Sequence, residues 1–162
     1  MSDLSRTVFT DANLFDGNRP PRPGSTVTVE GNRIVAVEGA SATTPRAGDR
    51  VLDLAGKTLM PGMASCHFHA TYHELGSRPA PFGLEESPAL QAVRAGRNLE
   101  AVLRAGFTSA VSAGAPFAID PAMRRAIAEG TVEGPRFVPG SRDVSTTGHV
   151  NDNTPWYWEL GA

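Results

Sequence analysis

The chain has 162 residues, 40% of them hydrophobic and 20% charged, with a formal net charge of -2, enough for one good core or two small ones. There is no basic excess and no basic cluster, so neither nucleic acid nor an anionic membrane surface is an expected partner. Cys66 is the only cysteine and forms no internal disulfide, and no apolar run approaches the roughly 20 residues that span a bilayer.

The N-terminus, "MSDLSRTVFTDANLFDG", lacks a basic segment followed by an apolar one and does not read as a secretory signal. A soluble, cytoplasmic protein is expected. "TVFTDANLFDG" is a strand candidate, followed by the Pro-rich turn "NRPPRPG". Val27 and Val29 then alternate with Thr26, Thr28 and Glu30, and Ile34, Val35 and Val37 follow Gly31-Asn32. A two-residue Gly-Asn link between β-rich runs predicts a hairpin of the II′ kind. "RVLDLAGKTLMPG" gives a further pair of short strands about Ala55-Gly56. Residues 1–60 are thus predicted to be an all-β module of hairpins.

The rhythm changes after Pro61. "GMASCHFHA" is a short strand candidate, and after a Pro- and Gly-containing loop "SPALQAVRAGRNLEAVLRAG" predicts a helix. Ser87 suits the N-cap, Pro88 the first turn and Gly106 the stop. Leu90, Val93, Leu99, Val102 and Leu103 supply its apolar face. "FTSAVSAG" is a second strand, "DPAMRRAIAEG" a second helix capped by Asp120, and "PRFVPGS" a third strand. Strand, helix, strand, helix, strand with short links predicts parallel βαβ units over residues 61–162. The tail, "RDVSTTGHVNDNTPWYWELGA", reads as a loop, with a helix beginning near Pro155.

Three of the four histidines lie in "SCHFHATYHE", residues 65 to 74. Residues two apart on a strand face the same way. His67 and His69 therefore project together with Ser65, and Cys66 and Phe68 face the other side. Two imidazoles so placed can chelate one divalent ion, with zinc, iron, cobalt, nickel and manganese all open. His-x-His alone is a weak motif, but this pair sits at the C-terminal end of the first strand of a βα series, where barrel enzymes place their chemistry.

"VFTDANLFDG", "STVTVEGNRIVAVEG", "VLDLAGKTLMPGMASCHFHA" and "NLEAVLRAGFTSAVSAG", taken in order, resemble the N-terminal part of the amidohydrolase superfamily. "GPRFVPGSRDVSTTGHVND" is similar to the branch of imidazolonepropionase-like hydrolases and Xaa-Pro or Xaa-Arg dipeptidases. The resemblance implies an α/β chain: a small β-sandwich, residues 1–60, then the first three βα units of a (β/α)8 barrel, residues 61–162. It implies one or two divalent ions, zinc foremost, with His67 and His69 as ligands. It further implies hydrolysis of an amide bond in a small substrate, such as a dipeptide, an N-acyl amino acid or a lactam, by a metal-activated water. Ser112, Gly114 and His149 are implied at the substrate pocket, with His73 a weaker candidate beside them.

The sequence departs from the family pattern in two ways. Ser65 stands where an acid or amide is frequent, which alters the bonding around the first metal histidine. More seriously, the bridging lysine or acid, two further histidines and a proton-handling aspartate cannot be placed. Lys57, the only lysine, lies before the first barrel strand, and no catalytic residue is identifiable. A (β/α)8 barrel takes about 200 to 250 residues or more, and three parallel strands leave open edges and apolar faces. The expectation is a truncated or processed piece, or a chain completed by a C-terminal barrel segment on a second polypeptide, and a homo-oligomer. A non-catalytic binding or assembly component derived from an amidohydrolase is the alternative.

Other residues have ordinary readings. Glu74 beside His73 does not make a His-Glu-x-x-His motif. Cys66 reads as a packed thiol, Asp143 and Asp152 as turn residues, and Trp156, Tyr157 and Trp158 as packing or subunit contact.

Overall fold

Arg6–Leu14, rich in β-branched and aromatic residues, forms β1, around which the N-terminal unit of the chain, Met1–Pro61, is built. In the computed structural model, which describes residues 5–39, 45–73 and 86–142, β2 (Arg22–Glu30) pairs antiparallel with β1. β3 (Arg33–Gly39) pairs antiparallel with β2. Glu30 lies opposite Arg33, so Gly31 and Asn32 are the whole turn. Gly31 has φ +57° and Asn32 keeps a negative φ, the sign pattern of a II′ turn.

The next two strands depart from the expected hairpin. β4 (Arg50–Asp53) and β5 (Thr58–Leu59) both run parallel to β1, pairing with its first and last parts in turn. Ala55 and Gly56, at φ +46° and +76°, carry the chain from one to the other without reversing it. The result is a single five-stranded sheet. The described residues of this unit therefore form one layer, where a β-sandwich has two.

The faces of the sheet are used in an unexpected sense. Val8 and Thr28 stand opposite each other, and the side carrying them is closed, with both at 0% exposure and Thr26 at 3%. The valine-rich side, with Phe9, Val27, Val29, Ile34 and Val37, lines an open groove of about 440 Å³, where Ile34 is 68% and Val37 46% exposed.

Arg6 ties the sheet to the loop before β4. Its guanidinium pairs with Asp49, and its Nε lies 3.3 Å from Glu30 Oε1. The Arg46 backbone N–H donates to Asp49 Oδ2 at 2.7 Å, and this bond, with the Arg6 charge, holds the Asp49 carboxyl below the usual aspartate range. A depressed carboxylate adds stability above its unfolded pKa and loses it as pH falls through the folded one. Thermal stability is expected to drop on acidification below about pH 4, and Asp49→Asn is expected to flatten that drop in melts followed across pH 3 to 7.

The second unit, Gly62–Ala162, is built on a three-stranded parallel sheet. Its strands are β6 (Met63–Phe68), β7 (Phe107–Ser112) and β8 (Arg136–Val138), side by side in chain order. α1 (Pro88–Arg104) links the first pair and packs on β7; α2 (Ile119–Ala128) links the second and packs on β8 and α1. Ser87 caps α1 as predicted, its Oγ accepting the Leu90 N–H at 3.3 Å, and Gly106 follows the helix at φ +94°.

Two helix expectations change. The buried stripe of α1 is Gln91, Ala95 and Leu99, whereas Leu90 is 39% and Val93 64% exposed. Small residues, Ala95 with Ala110 of β7, let this face lie close to the sheet. Asp120 is not the cap of α2. Phe117 and Ala118 take left-handed φ of +55° and +53°, the helix starts at Ile119, and Asp120 is buried within its first turn. Leu99→Ala is expected to cost about 2–5 kcal/mol and Val93→Ala less than about 0.5 kcal/mol, measured by chemical denaturation.

Among the described residues no helix is long and apolar enough to cross a membrane.

Candidate metal centre

The histidine pair stands where β6 ends. Simple alternation does not survive there, because the β6–β7 register shifts by one residue between Ser65, opposite Ala110, and Phe68, opposite Ser112. Bulges of this kind re-aim side chains next to functional sites. Phe68 turns inward against the buried cluster of Ala95, Leu99 and Ala110. Cys66 is exposed rather than packed, because β6 is an edge strand and α1 lies over β7. Ser65 Oγ donates to the His67 carbonyl at 3.1 Å, so its hydroxyl is bonded to backbone and not to an imidazole.

His67 and His69 are together in spite of the bulge. Their ring centroids are 5.0 Å apart at 74°. Two imidazoles bound to one ion at about 2.0–2.1 Å, with an angle of about 90–109° at the ion, have centroids about 4.5–5.2 Å apart. The observed spacing fits that range.

His69 is the better fixed of the two. Its Nδ1 lies 2.9 Å from the Gly114 carbonyl oxygen. A carbonyl only accepts, so Nδ1 carries the proton, and the neutral ring has its lone pair on Nε2. A ligating histidine is commonly oriented in this way, by donating its other N–H to a carbonyl. Tyr72 stacks on the same ring at 4.0 Å and 2°. Asn98, on α1, donates to the carbonyls of Ala70 at 2.7 Å and Tyr72 at 3.0 Å, tying the segment after β6 to the helix.

Of the other residues picked out in the sequence, Ser112 and Gly114 are joined to the pair. Ser112 is buried, and its Oγ accepts the Gly114 N–H at 3.1 Å. Gly114 takes φ +124°, a backbone state that favours glycine. Ser112 therefore shapes the loop whose carbonyl holds His69. His73 lies just past Tyr72 and is half-buried. His149, Glu74, Asp143, Asp152 and the Trp156–Trp158 cluster lie outside the described residues. Tyr72 and Asn98 escaped sequence reading, although Tyr72 follows His69 by three residues in an otherwise unassigned loop. Among the described residues, no three His, Cys, Asp or Glu side chains come close enough to hold an ion; the pair fits as part of a centre.

No family model matches the sequence, and no curated protein matches it. Solved structures do. A prolidase crystallised with N-methylphosphonate-L-proline is 31% identical, with 94% of this chain and 36% of that one covered at a TM-score of 0.76. An amidohydrolase is 28% identical, with 82% and 30% covered at 0.67. A Xaa-Pro dipeptidase with methionine in its active site shares the fold at 22% identity, with 94% and 39% covered at 0.77. The chain spans about a third of the length of these structures, and the two sheets and two α-helices of its described residues resemble the N-terminal part of amidohydrolases. On this structural likeness, with the sequence runs that accompany it, the chain is similar to the N-terminal portion of amidohydrolase-superfamily proteins.

Proposed function

We propose that the chain is the N-terminal portion of a metal-dependent amidohydrolase that cleaves an amide bond in a small substrate, with His67 and His69 supplying part of the metal site. The observation that carries this reading is the His69 Nδ1–H bond to Gly114, which turns a weak sequence pair into an oriented one. The three parallel strands read as the first three βα units of a (β/α)8 barrel, in keeping with the apolar residues on the side away from the helices. Val111 and Val138, opposite each other on β7 and β8, are 42% and 57% exposed, and parallel sheets are normally covered on both faces.

The remaining ligands and the proton-transfer group then come from a complementary C-terminal barrel segment, of the same precursor or a second polypeptide. Zinc is the expected ion, one or two per site. When bound, a divalent ion supplies Lewis-acid polarisation of the amide carbonyl and lowers the pKa of water. Within this chain, His69 presents Nε2, the Gly114 carbonyl fixes its tautomer, and Tyr72 limits its rotation. Dipeptides ending in proline are the first substrates to screen, given the ligand of the prolidase it is similar to. N-acyl amino acids and lactams come next. A homo-oligomer and a cytoplasmic location remain part of the proposal.

Native mass spectrometry of the purified protein, beside a denatured spectrum, tests the assembly. A complementary polypeptide or barrel portion carrying one or two metal ions is expected. His67→Ala and His69→Ala are each expected to lose the metal and to lower hydrolysis by on the order of a hundredfold or more. Full hydrolysis surviving both substitutions would falsify the catalytic assignment. A metal-free protein whose binding of a partner is indifferent to both would instead support a non-catalytic assembly component.

A further inference from the structure

The ends of β6, β7 and β8 and the first turn of α2 are joined by a chain of contacts that begins at a fully buried acid. Asp120 is 0% exposed. Its Oδ2 accepts the Gly140 N–H at 3.1 Å, and among the described residues its Oδ1 has no hydrogen-bond partner. A carboxylate buried on so little compensation is costly, so its position calls for a role. Gly140 lies against the loop after β7. A Cβ built on it would stand 2.5 Å from the Ser112 carbonyl oxygen and 2.9 Å from the Gly114 nitrogen. Its φ is unexceptional, so the need for glycine here is one of space. One residue on, the Ser141 carbonyl accepts the Ala115 N–H at 2.9 Å. The segment after β8 is thus seated on both sides of Gly114, whose carbonyl holds His69.

We propose that Asp120 and Gly140 form a latch that positions His69 through the Gly114 carbonyl. Both are positioning residues: neither touches the imidazole. Asp120 holds Gly140 by its N–H, and Gly140, having no side chain, lets the two loops close. The closed loops set the height of the Gly114 carbonyl, and that carbonyl selects the tautomer of His69. The consequence for metal binding rests on the reading of His67 and His69 as ligands; the tautomer does not.

The test uses the full protein, with its complementary portion where one is found. Nitrogen NMR of labelled histidine reads the Nδ1–H fraction of His69, and titration with Zn²⁺ alone reads affinity. In Gly140→Ala and Asp120→Ala, His69 is expected to become a mixture of tautomers, and Zn²⁺ affinity to fall about tenfold or more. Asp120→Asn keeps an acceptor oxygen and is expected to stay close to the parent in both. Gly134→Ala is the control, because its Cβ would press on Ile127 Cδ1 at 2.7 Å, straining the core of the same unit away from the latch. It should leave both readouts unchanged. Parent-like tautomer in both alanine variants overturns the latch, as does an equal loss in Gly134→Ala. Should the alanine variants not fold, exchange in the parent decides: His69 Nδ1–H and Gly140 N–H protected together support it, and an imidazole proton that exchanges freely beside a protected amide overturns it. If the tautomer responds as expected while His67→Ala leaves Zn²⁺ binding intact, the latch stands and the metal reading fails.

Discussion

A single hydrogen bond, from His69 Nδ1 to the carbonyl of Gly114, gives the second unit its chemical meaning. Without it the described residues of the unit are three short parallel strands and two α-helices with a pair of histidines at one end. With it, the imidazole has a defined tautomer and a defined direction. The bond depends on much of the unit. The bulge in β6 carries His69 past the strand end, Asn98 anchors the turn that follows, and Ser112 and Gly114 shape the acceptor loop. Oriented donors and acceptors of this kind are worth most where they need no reorganisation when a ligand arrives.

The parts of this structure legible in the sequence are those governed by local rules. Gly31-Asn32 announced a tight reversal, Ser87 and Pro88 announced a helix start, and both are where backbone chemistry puts them. Local rules failed where long-range pairing decided. Nothing near Ala55-Gly56 says that β4 and β5 will lie along the same neighbour in the same direction. Likewise, the alternation in β2 does not say which face is covered: Thr26 and Thr28 are buried on one side, and on the other Val27 is buried while Ile34 and Val37 are open. Asp120 looked like a cap because Asp-Pro commonly opens a helix; two left-handed residues before it moved the start and freed the carboxylate for Gly140.

The candidate site divides along the same line. His67 and His69 were visible as a spacing of two, and the expectation that they face one way is met in effect, although alternation was not the cause. Their support was only partly visible. Ser112 and Gly114 are implied by resemblance at the pocket, and their contacts join them to His69. Tyr72, Asn98 and Gly140 carry no sequence signature, because their importance lies in what they meet across the fold. Where a histidine does bind a metal, partners that orient its ring in this way commonly tune the affinity.

Cys66 stands in solvent at the edge of the sheet, one residue from His67. As the only thiol of the chain, it offers a native attachment point for a spin label or an environment-sensitive dye. Such a reporter needs no cysteine introduced or removed, and it sits on the β6 edge, where a strand that closed the sheet would dock. Its mobility and polarity would follow any covering of that edge directly, so that docking there becomes an optical or magnetic titration.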